Sequence, residues 1–177
     1  MKKLIFVLMI FNFSSNIDAQ ELIYDIEIND IKGASIDLHQ FRGKYILFVN
    51  VASYCGFTKQ YSDLEELYQQ YKKNLIIIGL PCNQFGGQEP DNEEEIEQFC
   101  TSNFDISFLL TEKIDVKGYN QHMIYSWLTN ANINGRFSSS VKWNFQKYLV
   151  NPEGELIHYF YSTTKPMSDK ITKILKQ

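Results

Sequence analysis

Two stretches of the chain are continuously apolar and β-prone, residues 45–52 and residues 74–80. Runs of this kind are typical of strands that are covered on both faces of a sheet. Between them, Tyr61, Leu64 and Tyr68 recur at helical spacing among acids and glutamines, which predicts an amphipathic helix that starts near residue 58. The centre of the chain is therefore predicted to be strand, helix, strand.

The segment before this centre alternates between apolar and polar residues over 22–28, as a half-buried strand does. Lys32 and Gly33 predict a turn, and residues 34–38 predict a return strand. We therefore expect a small N-terminal β-hairpin ahead of the two central strands.

Pro81 is expected to stop the second central strand, and Asp91 is a candidate N-cap with Glu94 three residues later. The helix that Asp91 would open is expected to turn four residues inward, namely Ile96, Phe99, Cys100 and Phe104. A short apolar segment near residues 108–110 and a short helix over residues 122–128 follow.

The last part of the chain predicts two antiparallel strands, 147–150 and 155–160, joined by a β-turn at residues 151–154. Pro166 is expected to open a final helix. No repeat, linker or change of composition divides residues 20–177, so we predict one domain. The order of elements is that of thioredoxin, and the predicted fold class is α/β with a mixed central sheet flanked by helices.

Residues 1–19 have the order of a secretory signal peptide: Lys2 and Lys3, an apolar run over residues 4–11, and a polar stretch that ends in Ala19. The apolar run is far shorter than the ~20 residues that a membrane-spanning helix requires. A hydrophobic first strand or helix is the alternative interpretation. We expect an exported protein, periplasmic or secreted, with no stable membrane span.

The composition argues against several function classes. The net charge is −4 at pH 7 and no basic run exceeds Lys72-Lys73, so no nucleic-acid partner is expected. His39, His122 and His158 stand alone, without the spacing of a zinc site. Phosphate-binding glycine motifs are also missing from the sequence, so we expect neither a metal nor a nucleotide cofactor.

Three cysteines, Cys55, Cys82 and Cys100, occur without a C-x-x-C pair, and their odd number leaves at least one thiol unpaired in a monomer. Cys55 follows the first central strand and precedes a helix. Ligands gather at this edge of open α/β sheets, and the positive end of the helix dipole favours a thiolate. A buried, inert cysteine is the alternative, because free cysteines are often buried.

Three separated blocks of the sequence favour the interpretation of Cys55 as a reactive thiol over that of a buried, inert cysteine. They are residues 50–58 (NVASYCGFT), residues 80–90 (LPCNQFGGQEP) and residues 142–145 (KWNF). Each block resembles a signature of the glutathione peroxidase family, and the resemblance runs from about residue 22 to the C-terminus. The chain is most similar to cysteine-type members that depend on thioredoxin.

This resemblance implies a thioredoxin-like fold and an enzyme that reduces hydrogen peroxide and organic hydroperoxides, including lipid hydroperoxides. It implies that Cys55 is the peroxidatic nucleophile and that Gln84, Trp143 and Asn144 complete a tetrad around it. Their N–H groups can stabilise a thiolate without adding a base that competes for the proton. Without the blocks, these residues would be interpreted as a loop amide, a core aromatic and a turn residue.

The resemblance also implies that Cys100 is a resolving cysteine, which forms an internal disulfide that a thioredoxin-like reductant reduces. Glutathione is the alternative external thiol. Because Cys100 lies on the apolar face of its helix, a core cysteine remains the other interpretation. If Cys100 resolves, the helix must move, since a disulfide needs Cα atoms within ~7 Å. Cys82 is expected to be structural.

Partners follow less directly from the sequence. Only two arginines, Arg42 and Arg136, are present, so bidentate clamps for the carboxylates of glutathione are scarce. The short segment between Gly118 and Trp143 resembles members that lack the tetramer-forming loop. We expect a monomer with an open site for a peroxide and a protein reductant. The alternative function is a redox sensor that uses Cys55 and relays a disulfide to a partner.

Overall fold

The computed structural model describes residues 23–176, and the predicted signal peptide over residues 1–19 lies outside the described residues. The strands are β1 Tyr45–Val51, β2 Leu75–Pro81, β3 Leu109–Leu110, β4 Lys147–Val150 and β5 Leu156–Phe160. The helices are α1 Gln60–Tyr71, α2 Glu93–Phe104, α3 Met123–Thr129, α4 Ala131–Asn134 and α5 Asp169–Leu175, and a 3-10 turn, Leu38–Phe41, precedes β1. Within the described residues, no helix is long and apolar enough to cross a membrane.

The five strands form one mixed sheet in the order β3-β2-β1-β4-β5. β1 runs parallel to β2 and antiparallel to β4, and this arrangement confirms the predicted thioredoxin-like α/β fold. Alternate residues of a strand point to opposite faces. Ile46 and Phe48 of β1 accordingly pack with α3 on one face, whereas Leu47 and Val49 pack with α1, α2 and α5 on the other.

The directions of these strands bring the three sequence blocks to one edge of the sheet. β1 and β2 are parallel and both end there, at Val51 and Pro81. β4 is antiparallel to β1 and begins at the same edge, where Lys147 lies opposite Val49. The segments that follow β1 and β2 and the segment that precedes β4 are therefore neighbours.

The predicted start of α2 is wrong by one residue. Asn92 is the N-cap: its side chain accepts from the Glu95 N–H, and the Glu95 carboxylate accepts from the Asn92 N–H, which is a capping box. Asp91 serves another contact, because its carboxylate accepts from the Tyr54 hydroxyl at 2.5 Å. The helix α2 therefore begins at Glu93, directly after the N-cap Asn92.

Two further predictions need correction at the ends of the domain. The last helix starts at Asp169 rather than at Pro166, because hydrogen-bonded turns occupy residues 161–168. The N-terminal hairpin consists of a tight turn with one antiparallel bridge, between Asn29 and Ser35, in place of two longer strands. The expected alternation is nevertheless present, since residues 24, 26 and 28 are buried and residues 25 and 27 are exposed. The short helix α4 was not predicted.

Candidate active site

Cys55 lies on a tight turn between β1 and α1, and Thr58 closes this turn. The Thr58 N–H donates to the Cys55 carbonyl at 3.0 Å, while Thr58 Oγ1 accepts from the Cys55 N–H at 3.0 Å and donates to the Ala52 carbonyl at 2.9 Å. The Phe57 N–H donates to Cys55 Sγ at 3.4 Å. Cys55 is 9% exposed, so the residue is nearly closed off within this turn. A backbone donor on the sulfur stabilises a thiolate.

The second block forms a loop that lies against the Cys55 turn. Gly86 and Gly87 have φ values of 69° and 62°, a left-handed backbone that favours glycine and lets the loop reverse direction. The Gln88 carbonyl then accepts from the Tyr54 N–H at 3.0 Å. This contact joins the loop directly to the residue before Cys55.

Gln84 belongs to the same loop, and the structure ties its carboxamide to the segment after β3. Its Oε1 accepts from the N–H groups of Val116 and Lys117 at 2.9 and 3.1 Å, and its Nε2 donates to the Lys117 carbonyl at 2.8 Å. The fully buried Cys82 thiol also donates to Oε1, at 3.8 Å. These contacts use one of the two Nε2 hydrogens.

Trp143 and Asn144 approach from the third block in different ways. The Trp143 side chain is 40% exposed and packs against the Phe85 ring at a centroid distance of 5.8 Å. Asn144 is fully buried, and its Nδ2 donates to Gln88 Oε1 at 3.2 Å. Asn144 is thus linked to the Cys55 turn through Gln88.

Gln88 was not predicted as a site residue, although it lies within the second block. The Gln88 carbonyl accepts from the Tyr54 N–H beside Cys55, and its side-chain Oε1 accepts from Asn144 Nδ2. The signal in the sequence is its position directly after the glycine pair, where the chain turns back. Lys147, which follows the third block, was also missed, because a lysine at the start of a strand is expected to be exposed, whereas this one is buried.

Cys100 is fully buried on α2. The pKa of its thiol is raised to about 12, mainly by burial; the Tyr61 hydroxyl opposes this shift and the negative charge of Glu89 contributes to it. Of its predicted inward neighbours, Ile96 is buried, whereas Phe99 and Phe104 are half-buried. All three cysteines are free thiols in this structure.

Glu89 is a fully buried acid that sequence reasoning did not single out. Burial raises the pKa of Glu89 to about 7; Ser53 lowers it through its hydroxyl and backbone N–H, and Asp91 raises it. Neither carboxylate oxygen has a partner at full hydrogen-bonding geometry, so the contact with Ser53 is weak and burial dominates. Glu89 shares this region with Tyr61 and Cys100, on whose pKa values its charge acts.

Metal chemistry has no ligand set within residues 23–176, where no three His, Cys, Asp or Glu side chains come together in a way that could hold an ion. Cys55 lies at this edge of the sheet, with the Phe57 N–H on its sulfur. A cysteine at this position of a thioredoxin-like sheet, without a C-x-x-C partner, is typical of a thiol-dependent oxidoreductase.

Comparison with known proteins narrows this class. The model of the family described as Glutathione peroxidase matches residues 23–129. Glutathione peroxidase-like peroxiredoxin 2 of Saccharomyces cerevisiae is 47% identical over 82% of this chain and 90% of that protein. Glutathione peroxidase homolog BsaA of Staphylococcus epidermidis is 46% identical over 88% of this chain and 99% of that protein.

A solved structure agrees with these relatives. The crystal structure of Trgpx in its apo form superposes with a TM-score of 0.67 at 37% identity, and the match covers 88% of this chain and 95% of that one. The chain belongs to the glutathione peroxidase family. It is a thiol peroxidase, an oxidoreductase that reduces peroxides.

Proposed function

We propose that Cys55 is the nucleophile and that the substrates are hydrogen peroxide and organic hydroperoxides. The observation that carries this assignment is the Phe57 N–H on Cys55 Sγ, in a turn at the edge of the sheet. The thiolate attacks one peroxide oxygen, the O–O bond breaks, and the other oxygen leaves as water or an alcohol after it takes a proton. Cys55 is left as a sulfenic acid.

Gln84, Trp143 and Asn144 are proposed to orient the peroxide and to stabilise the leaving oxygen. All three are neutral N–H donors, so none of them competes with the leaving oxygen for a proton. Trp143 supports this role by its exposure next to Phe85. Asn144 supports it through its link to the Cys55 turn by way of Gln88.

Cys100 is proposed to resolve the sulfenic acid. Its sulfur attacks Cys55 Sγ, the S–O bond breaks, and hydroxide leaves as water with the proton of the Cys100 thiol. Because Cys100 is buried on α2, this step follows a local opening of that helix. The disulfide that forms is then reduced by an external dithiol.

The external reductant is proposed to be a thioredoxin-like protein rather than glutathione. Both arginines are engaged away from Cys55: Arg42 lies over the Tyr24 ring at 4.4 Å, and Arg136 lies 3.9 Å from Glu155. Arginines engaged in this way favour a reductant that does not depend on bidentate clamps for its carboxylates. The name of the yeast relative, a peroxiredoxin, fits a dithiol route.

We also propose export and a monomeric state. Export is supported by the sequence of residues 1–19, and it predicts a mature N-terminus at residue 20 when the full chain is expressed in a host with a secretory pathway. Mass spectrometry of the recovered protein tests the cleavage. Light scattering of residues 20–177 tests the oligomeric state.

The function is tested by NADPH-coupled reduction of hydrogen peroxide, with either thioredoxin and its reductase or glutathione and its reductase. Wild type and Cys100→Ser are compared over residues 20–177. Turnover with thioredoxin that collapses in Cys100→Ser supports the two-cysteine cycle. Equal turnover of both proteins with glutathione contradicts the role of Cys100. Slow, substoichiometric reduction with every donor favours the redox sensor.

A further inference from the structure

Lys147 is a fully buried lysine at the first position of β4. Its Nζ donates to Gln60 Oε1 at 2.6 Å and to the Phe145 carbonyl at 2.7 Å. Burial lowers the pKa of Lys147 to about 7, and the negative charge of Asp63 on α1 opposes the shift. Burying the amine of Lys147 costs free energy that an apolar side chain would not cost. The two hydrogen bonds offset part of this cost.

The residue held by Lys147 has an unusual backbone. Phe145 has a φ of 63°, a left-handed conformation that bulky residues rarely adopt. Its N–H donates to the Asn50 carbonyl of β1 at 2.6 Å, its carbonyl accepts from Lys147, and its buried ring packs edge-on against Tyr61 at 5.3 Å. Three separate contacts thus hold Phe145 in a conformation that the residue itself disfavours.

We propose that Lys147 is a positioning residue of the active site, which holds Phe145 in this conformation and thereby places Asn144 and Trp143 beside the Cys55 turn. The inference rests on the proposed function of Cys55, Trp143 and Asn144. Gln60, the other partner of Lys147, is the first residue of the helix that follows Cys55, and its Nε2 donates to the Ser162 carbonyl at 2.7 Å. Lys147 thus connects the helix after Cys55 with the turn that carries Asn144.

The first test is Lys147→Met, which keeps the length of the side chain and removes its donors. The rate constant for Cys55 oxidation by hydrogen peroxide is expected to fall at least roughly tenfold, because small displacements of positioning groups cost that much. Leu156→Ala, a core truncation on β5, serves as a control for lost stability, and Lys173→Met is a control for lost charge. A folded Lys147→Met that is oxidised at the wild-type rate overturns the proposal.

A second test does not depend on how well that variant folds. In wild type, hydrogen exchange at the Phe145 amide, corrected for its intrinsic rate, is expected to increase as Lys147 loses its proton, because a neutral amine donates a weaker hydrogen bond to the Phe145 carbonyl than an ammonium does. Gln60→Glu places a carboxylate against Lys147 in addition to Asp63, so this increase is expected to move at least about one pH unit upward. An increase that stays at the wild-type pH overturns the proposal.

The exchange measurement also separates this inference from the proposed function. If wild type reduces no peroxide but the pH of the exchange transition moves in Gln60→Glu, the proposed function fails and Lys147 still positions Phe145. If wild type reduces peroxide and neither test shows an effect, the peroxidase assignment stands and the role of Lys147 fails.

Discussion

The Phe57 N–H points at the Cys55 sulfur across 3.4 Å. This contact depends on the shape of a turn that Thr58 closes, because Thr58 Oγ1 accepts from the Cys55 N–H and donates to the Ala52 carbonyl. A hydrogen bond to an ionised acceptor is about twice as strong as a neutral one, so the same N–H holds a thiolate better than a thiol. The Thr58 hydroxyl therefore helps to keep the Phe57 N–H on the Cys55 sulfur.

Thr58→Val is expected to damage both stability and reactivity. The substitution leaves the Cys55 N–H without its partner, which costs about 1–3 kcal/mol of unfolding free energy for a buried group. Cys55 oxidation should slow, because the Phe57 N–H is no longer held on the sulfur. Urea unfolding and stopped-flow oxidation measure the two effects. Thr58→Ser keeps both hydrogen bonds and should resemble wild type, whereas a Thr58→Val protein with full reactivity would refute this role.

Gln88→Met is expected to uncouple Asn144 from the Cys55 turn. The change removes the acceptor of Asn144 Nδ2 but keeps the hydrogen bond from the Tyr54 N–H to the Gln88 carbonyl. Since the loss of one buried hydrogen bond is worth about 1 kcal/mol, we expect the peroxide rate constant to fall roughly fivefold. Single-turnover kinetics measure it. Gln70→Met, an exposed substitution on α1, is the control, and equal rates for the two variants would argue against the link.

The central fold could be predicted from the sequence because local pattern and tertiary burial agree there. The continuous apolar run of β1 is covered on both faces, as its composition indicates. The prediction was wrong where one side chain has a competing partner, as Asp91 does in Tyr54. It was also wrong at Pro166, where the chain first forms turns and the helix begins only at Asp169.

The candidate site could be predicted only in part. The sequence blocks identify the segments that meet, but not the contacts between them. Gln88 binds Asn144, which lies 56 residues away in the chain, and Lys147 binds Gln60, which lies 87 residues away. Such contacts depend on the directions of β1 and β4, which no local pattern shows.

Asn92→Ala is expected to speed the resolving step while it weakens α2. Loss of the capping box costs about 1 kcal/mol of helix stability. If opening of α2 limits the approach of Cys100, the disulfide should form up to roughly fivefold faster, which is the same free energy expressed as a rate. Quenched-flow trapping of thiols measures this step. Asn130→Ala removes a cap from α4 and should leave the rate unchanged; a slower Asn92→Ala protein would mean that α2 must stay intact.

Glu89 is expected to make stability depend on pH. Its pKa is raised from 4.5 to about 7 by burial, so between these values the folded chain binds the proton more tightly than the unfolded chain. The contribution is therefore complete below about pH 4 and is lost as the pH rises through about 7, at most roughly 3 kcal/mol. Denaturant unfolding of wild type and Glu89→Gln from pH 4 to pH 8 measures it. A stability difference between the two that does not change with pH would contradict a buried, titrating Glu89.

The proposed peroxidase chemistry requires that the Cys55 sulfur is the atom that peroxide oxidises. One equivalent of hydrogen peroxide is added to reduced protein in the presence of a sulfenic-acid trap, and the labelled residues are located by peptide mass spectrometry. In Cys100→Ser, the account predicts a trapped sulfenic acid on Cys55. In wild type, it predicts a disulfide between Cys55 and Cys100, and in Cys55→Ser it predicts no rapid loss of peroxide. Rapid peroxide consumption by Cys55→Ser, or a label on Cys82 in place of Cys55, would contradict the account.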